Sequence, residues 1–259
     1  MLWSVSSSMR WVANALFERE HHRRVASILE SLDAAFLQSH GCYFGGGTAI
    51  VLGRGEYRDS LDIDFLVSDV TGYRALRGRF AHLRDLVRAG AVAHQSREVR
   101  ADQYGMRTLV MVHDVQIKFE IVLEGRVMFE KPSSGDEICG VATLTQLDMA
   151  TSKLLANSDR WADDSVHSRD LIDLAMLKLD RATLSRAIAK ASGAYGESIE
   201  RDLVKAIEAL KRRRGRLEEC MRALQMLDVP SGLTPVVPAV LWKQIRQLAP
   251  KAQRLAKKR

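Results

Sequence analysis

Tyr43-Phe44-Gly45-Gly46-Gly47-Thr48-Ala49-Ile50-Val51-Leu52, followed after a polar loop by Leu61-Asp62-Ile63-Asp64-Phe65-Leu66-Val67, is the stretch on which the fold turns. The first segment reads as a short entry strand, a glycine turn and a short helix. In the second, Leu61, Ile63 and Phe65 alternate with Asp62 and Asp64, the period-two pattern of a strand with one apolar face. Two aspartates one residue apart on a strand project from the same face, their Cα atoms roughly 6.5–7 Å apart. Carboxylates at that spacing suit divalent cations that take oxygen ligands and keep positions for water and substrate phosphates. A glycine turn that opens a helix presents unpaired backbone N–H groups to a phosphate, and glycine lets the backbone approach closely. Taken alone, an Asp-X-Asp is a solvated strand face and the glycines are an ordinary tight turn. Their order and closeness in the chain give them chemical meaning together.

Further along, residues 107–113 and 115–123 read as two strands turning near Asp114. In the second of them Ile117, Phe119 and Ile121 alternate with Gln116, Lys118, Glu120 and Val122. Glu120 therefore lies on the polar face of a strand that can neighbour the Asp62/Asp64 strand, where a third carboxylate can ligate a metal or take an acceptor proton. Upstream, residues 9–39 carry helical periodicity through Ala13, Leu16, Val25, Ile28, Leu29, Leu32 and Phe36. His21, His22, Arg23 and Arg24 interrupt that stripe and read as solvated. Residues 73–88 look helical, and 131–136 is a loop. From Thr145 onward the pattern is almost wholly helical, beginning with residues 145–157 and 168–178. The expectation is an α+β chain: a small mixed sheet flanked by helices over residues 1–140, then a helical domain over 141–259 with a basic C-terminal part.

Composition narrows the classes. The 259 residues are 46% hydrophobic and 27% charged, which is globular. No apolar run approaches the ~20 residues needed to span a bilayer. Residues 1–17 lack a basic leader before an unbroken apolar core, so a signal peptide is not expected. Three scattered cysteines, Cys42, Cys139 and Cys220, make neither a disulfide framework nor a zinc pattern and point to the reducing cytoplasm. No hydrolase-elbow glycines surround Ser152, Ser165 or Ser168. The net charge of +7 is uneven: residues 181–259 hold 18 basic and 7 acidic side chains, leaving the first 180 at −4. Lys211-Arg212-Arg213-Arg214 with Arg216 is the densest run, and Lys251, Arg254, Lys257, Lys258 and Arg259 form a basic tail. Aromatics are sparse there, so contact with a phosphate backbone fits better than base stacking; a solvated helix face is the alternative.

A later cluster has two readings. Lys153 and Asn157 lie four apart on a predicted helix and share a face, with Arg160 one turn on; Asp170 and Asp173, three apart, also share a face. Lys153 can act as a mobile point charge toward polyphosphate. Equally, Lys153 and Arg160 can ion-pair with Asp170 and Asp173 to join the two helices.

Gly46-Gly47-Thr48-Ala49 followed by Ser60-Leu61-Asp62-Ile63-Asp64-Phe65 resembles the DNA-polymerase-β-like nucleotidyltransferase superfamily. With Lys153-Leu154-Leu155-Ala156 through Arg160, then Arg169-Asp170-Leu171-Ile172-Asp173-Leu174, the chain is similar more narrowly to the AbiEii/AbiGii toxin family of nucleotidyltransferases. The resemblance implies a nucleotidyltransferase core and Mg2+-dependent transfer of an NMP from an NTP, with Mn2+ as the alternative ion. It implies that Gly46, Gly47 and Thr48 hold the triphosphate and that Asp62 and Asp64, with Glu120 as third candidate, bind metal. Lys153 and Arg160 would contact the nucleotide, and Asp170 or Asp173 would lie near the acceptor or orient Lys153. It further implies a toxin with a separate antitoxin and, for some members, tRNA 3′ ends as acceptor; a small molecule or protein acceptor, or a chain that binds nucleotide or RNA without catalysis, are the other readings. Two departures are a third glycine, Gly45, ahead of the pair, and Glu in place of Asp at 120.

Overall fold

Alternation in the strands and i, i+3/i+4 spacing in the helices sort the chain into two units. The computed structural model describes residues 16–88, 94–112 and 114–249. The start of the predicted first helix, His113 and the basic tail lie outside them. One unit comprises residues 1–56 and 60–144, the other residues 57–59 and 145–259.

The first unit opens with α1 (Glu20–Ser31) and α2 (Ala34–Ser39). The single helix expected over 9–39 is interrupted because Leu32 is extended, with φ −71° and ψ 153°, and bridges to Val87. Asp33 then caps α2, accepting a hydrogen bond from the Phe36 N–H at 3.1 Å. His22 corrects a second expectation. It is fully buried rather than solvated, because Glu56 and the Ser60 backbone supply partners for both ring nitrogens.

Next come β1 (Cys42–Gly45), α3 (Gly46–Gly53), β2 (Ile63–Val67) and α4 (Val70–Arg79). The helix expected over 73–88 ends at Arg79, where Phe80 turns to φ −82°, ψ 68° and is buried; only Leu83–Asp85 forms a further 3-10 turn. Short β3 (His94–Gln95) and β4 (Arg100–Ala101) precede the long hairpin β5 (Gly105–Val112) and β6 (Val115–Leu123). The strands form one sheet in the order β1-β2-β6-β5-β3, with β4 also on β5. β2 and β6 pair in parallel and the other neighbours antiparallel, so the sheet is mixed. A separate hairpin, β7 (Glu137–Ile138) and β8 (Val141–Ala142), closes the unit.

One sheet face carries the core. Phe44, Phe65 and Phe119 come from three adjacent strands and sit in contact, with ring centroids 5.5 and 5.7 Å apart; Phe80 meets Phe119 edge-on at 6.0 Å. All four are fully buried, each contributing about 1.5–3 kcal/mol of hydrophobic stabilisation. This anchors the register, since a slip by one residue would exchange Phe65 with an acid-bearing position.

The second unit holds α5 (Gln146–Arg160), α6 (Arg169–Met176), α7 (Arg181–Tyr195), α8 (Ser198–Arg212), α9 (Arg216–Ala223) and α10 (Pro238–Gln247). Thr145 caps α5 by accepting from the Asp148 N–H at 3.2 Å, and Asp180 caps α7 through the Thr183 N–H at 2.7 Å. α5 is central, packing on α6, α7 and α8; Ala187 and Ala191, one turn apart and fully buried, give α7 an apolar face of small side chains. Among the described residues no helix is long and apolar enough to cross a membrane.

Candidate active site

On the other face of the sheet, the acids line up. Along β2, Ile63, Phe65 and Val67 are buried, while Asp64 and, just before the strand, Asp62 are half-buried. In the parallel pairing Asp64 stands opposite Glu120, and the same register carried back two residues brings Asp62 level with Lys118. Partial burial acts against the Lys118 ammonium. A hydrogen bond to Glu120 and the charges of Glu120, Asp62 and Asp64 outweigh that and raise its pKa above the ordinary lysine value. One lysine therefore feels the charge of both aspartates.

The glycine turn meets this face directly. Gly45 pairs with Asp64 across β1 and β2. Gly46 starts α3 at φ +66°, and a Cβ there would run into the Asp64 carboxylate, 3.0 Å from its Cβ and in collision with Oδ2. Residue 46 must therefore be glycine on two counts, conformation and space. Gly45, the extra glycine, has a packing reason of its own: a Cβ would lie 2.5 Å from Leu66 Cδ1 and 2.8 Å from Leu144 Cδ1. No side chain caps α3. Its first backbone N–H groups, those of Gly46 and Gly47, lack intrahelical partners and carry the positive end of the helix dipole beside Asp64.

Thr48 faces inward. It is buried, and its hydroxyl donates to the Asp62 carbonyl while lying 2.8 Å from Ser60 Oγ. A carbonyl only accepts, so the Thr48 proton goes to Asp62 and Ser60 donates to Thr48. Ser60 N–H in turn donates to His22 Nε2 at 3.3 Å, which puts the imidazole proton on Nδ1, 2.7 Å from Glu56 Oε1. This relay from Glu56 through His22, Ser60 and Thr48 fixes the backbone that delivers Asp62.

Glu120 has two cationic partners. Arg107, opposite it on β5, approaches with Nε at 3.0 Å from Oε1, and Lys118 Nζ lies 2.7 Å from Oε2. Arg107 also reaches Asp102 at 3.1 Å. Asp62 and Asp64 offer hard oxygen donors, which fit Mg2+ or Mn2+. Among the described residues no group of three acidic, histidine or cysteine side chains is arranged to hold a metal. An ion on Asp62 and Asp64 would take its remaining ligands from phosphate oxygens and water.

The second unit assembles the later motif. Lys153 Nζ lies 3.0 Å from Asp170 Oδ1 and 2.7 Å from Asp173 Oδ2. Arg160 grips Asp170 in a fork, at 2.6 and 3.0 Å. Arg58 forks onto Asp173 at 2.8 and 2.9 Å, and the Tyr57 hydroxyl donates to it at 2.6 Å. Lys153, Asp170, Asp173 and Arg58 are all less than one-tenth exposed. Burial pushes both carboxyls up, yet Lys153 and Arg160 at Asp170, and Arg58 and Lys153 at Asp173, hold them below the usual carboxylate range. The ion-pairing half of the two-way reading of this cluster is thus present in the structure.

Sequence reasoning missed Tyr57 and Arg58, which fall in the loop 54–59, because their partner Asp173 is 115 residues or more away. It also assigned no role to Lys118, although period-two spacing puts it on the face of Glu120. Of the basic run, Arg213 and Arg216 bind Asp164 at 2.6 and 2.9 Å, and Arg216 also meets Glu219 at 2.6 Å; Arg212 and Arg214 are exposed.

No curated protein matches the chain. Two solved structures from Helicobacter pylori are similar, each with 16% identity and a TM-score of 0.44: a protein assigned provisionally as a nucleotidyltransferase, over 91% of this chain and 96% of that one, and JHP933, over 92% and 94%. The family model described as nucleotidyl transferase AbiEii toxin, type IV TA system, matches residues 27–245 and takes in the glycine turn, the paired aspartates, Glu120 and the Lys153–Asp173 cluster. The chain belongs to the AbiEii nucleotidyl transferase toxin family of type IV toxin–antitoxin systems.

Proposed function

We propose that the chain transfers a nucleoside monophosphate from an NTP to an RNA acceptor in the cytoplasm, using Asp62 and Asp64 to hold Mg2+, and that a separate antitoxin restrains it. The observation that carries this reading is the meeting of the Asp64 carboxylate with Gly46 at the opening of α3, with Asp62 two residues before it in the chain. The anionic oxygens of Asp64, which would take a cation, and the backbone N–H groups that would take a phosphate are thereby adjacent in space. A divalent ion on the two aspartates would neutralise triphosphate charge and lower the pKa of the acceptor hydroxyl. The amides of Gly46 and Gly47 hold the phosphates, and the relay ending at Thr48 keeps Asp62 in place. The acceptor oxygen bonds to the α-phosphorus as the bond to the bridging oxygen breaks; pyrophosphate leaves with that electron pair, and the hydroxyl proton passes to water. An RNA acceptor is supported by the basic bias of residues 181–259 and by exposed Arg212 and Arg214.

The test is incubation of the purified chain with each α-labelled NTP, Mg2+ and total RNA, beside D62A and D64A. Label should enter RNA with the unaltered chain and fall at least about a hundredfold in either variant. Label entering protein or a small molecule instead would replace the acceptor, and NTP binding without pyrophosphate release would end the enzymatic reading.

A further inference from the structure

We propose that Glu120 is not a metal ligand but the strap that fixes two cations, and that Lys118 supplies a resident positive charge at the place where a third carboxylate would share a second divalent ion. The proposal rests on the reading of Asp62 and Asp64 as the metal-holding pair.

Three features of the sheet carry it. Each Glu120 oxygen is matched to a separate cation, Arg107 Nε on β5 at 3.0 Å and Lys118 Nζ on its own strand β6 at 2.7 Å. Arg107 is tied in turn to Asp102 at 3.1 Å, which makes the strap continuous from the β4–β5 turn to β6. The parallel register sets Glu120 opposite Asp64 and Phe119 opposite Ile63, so Lys118 and Asp62 are the next residues back on each chain. Glu120 is mostly buried while the two cations are nearly half exposed. The carboxylate is thus the fixed member and the cations are the groups that face solvent. A ligand role would require Glu120 to exchange both partners for the incoming ion and leave two cations around it. A strap role leaves the pairs intact, with the Lys118 ammonium beside the aspartates. There a fixed positive charge can meet triphosphate oxygens as a point charge.

The experiment is titration of the purified full chain with Mn2+ alone, reading free Mn2+ by electron paramagnetic resonance, so that no turnover is needed. The unaltered chain, E120Q, K118Q, K118R, D62N and D64N are compared, with urea midpoints confirming that each is folded. E120Q should bind Mn2+ within about threefold of the unaltered chain, because a strap contributes field but no bond. D62N and D64N should each weaken binding tenfold or more. K118Q should tighten binding about fivefold by removing a screened like charge, and K118R should restore the original value. A loss in E120Q equal to that in D64N overturns the strap and leaves the two-aspartate reading standing, as does weaker binding in K118Q. Unchanged binding in D62N and D64N overturns the two-aspartate reading itself, and the strap with it.

Discussion

Gly46→Ala tests the meeting of turn and acid, and the structure supplies its own control. Gly46 and Gly41 have nearly the same left-handed backbone, φ +66° and +63°. A Cβ on Gly41 meets nothing within 4 Å, whereas one on Gly46 strikes Asp64. Alanine in the left-handed region costs about 1–2 kcal/mol, and both substitutions should show it. Only Gly46→Ala must also turn the Asp64 side chain away, since its Oδ2, Cβ and Cγ all crowd the new atom. An off-rotamer side chain costs about 0.5–1.5 kcal/mol. Gly46→Ala should therefore lose about 1.5–3.5 kcal/mol against about 1–2 for Gly41→Ala, read as urea midpoints by far-UV circular dichroism with unchanged slopes. Activity should separate the two far more. Displacing a reacting-site carboxylate by about 1 Å is worth roughly a hundredfold in rate, so nucleotidyl transfer should collapse in Gly46→Ala and persist in Gly41→Ala. A double-mutant cycle with Asp64→Ala isolates the collision: most of the excess destabilisation should disappear when Oδ2 and Cγ are gone, only the Cβ at 3.0 Å remaining. Equal losses for the two alanines, or a cycle with no coupling, would refute the reasoning.

The remaining expectations concern the groups that hold the two units in shape. Asp170 and Asp173 have carboxyls held below the usual range by Lys153, Arg160 and Arg58. Their folded pKa values lie below the unfolded value of about 3.9, so the stabilisation is complete above that value and is lost as pH falls through the folded one. The urea midpoint should be nearly level from pH 7 to about pH 5 and drop below about pH 4, with a shallower acid limb in Asp170→Asn. An acid limb in that variant as steep as the original would contradict the assignment. Thr48→Val removes the hydroxyl between Ser60 and the Asp62 carbonyl and should lose about 1–2 kcal/mol together with much of the transfer rate, while Thr48→Ser should recover both. A valine variant with unaltered midpoint and rate would show that the relay does not position Asp62.

Local pattern carried the sheet and most helices because each of those segments states its own period. Val115 to Leu123 alternates and became a strand with the expected face inward; of Leu61 to Phe65, Ile63 and Phe65 are inward on a strand that begins at Ile63, while Leu61 lies before it and is exposed. Where a local signal competed with a tertiary one, the tertiary one won. Helical periodicity runs through Leu32, but the bridge to Val87 pulls that residue into an extended conformation. It runs beyond Arg79, but Phe80 leaves the helix to reach Phe119. His22 looked solvated beside His21, Arg23 and Arg24. Its burial depends on Glu56 and Ser60, which no window of a few turns contains.

The candidate site divides along the same line, and the division bears on its chemistry. That Asp62, Asp64, Glu120 and Lys118 lie on polar strand faces follows from a period of two. Which strand neighbours which, and in what register, does not, and register decides the net charge at the aspartates. Had β6 paired with β2 two residues out of step, Asp64 would face Lys118 directly and Glu120 would stand beyond both acids. In the observed register Asp64 faces Glu120. Two carboxylates side by side repel unless cations compensate them, and β5 and β6 supply Arg107 and Lys118 for that purpose. The acids alone point to a cation site; the acids with their neighbours describe one whose third carboxylate is already neutralised by protein. On the proposed reading, an ion held by Asp62 and Asp64 would meet a face on which Arg107 and Lys118 offset Glu120 but not the two aspartates, and its triphosphate partner would meet the Lys118 charge.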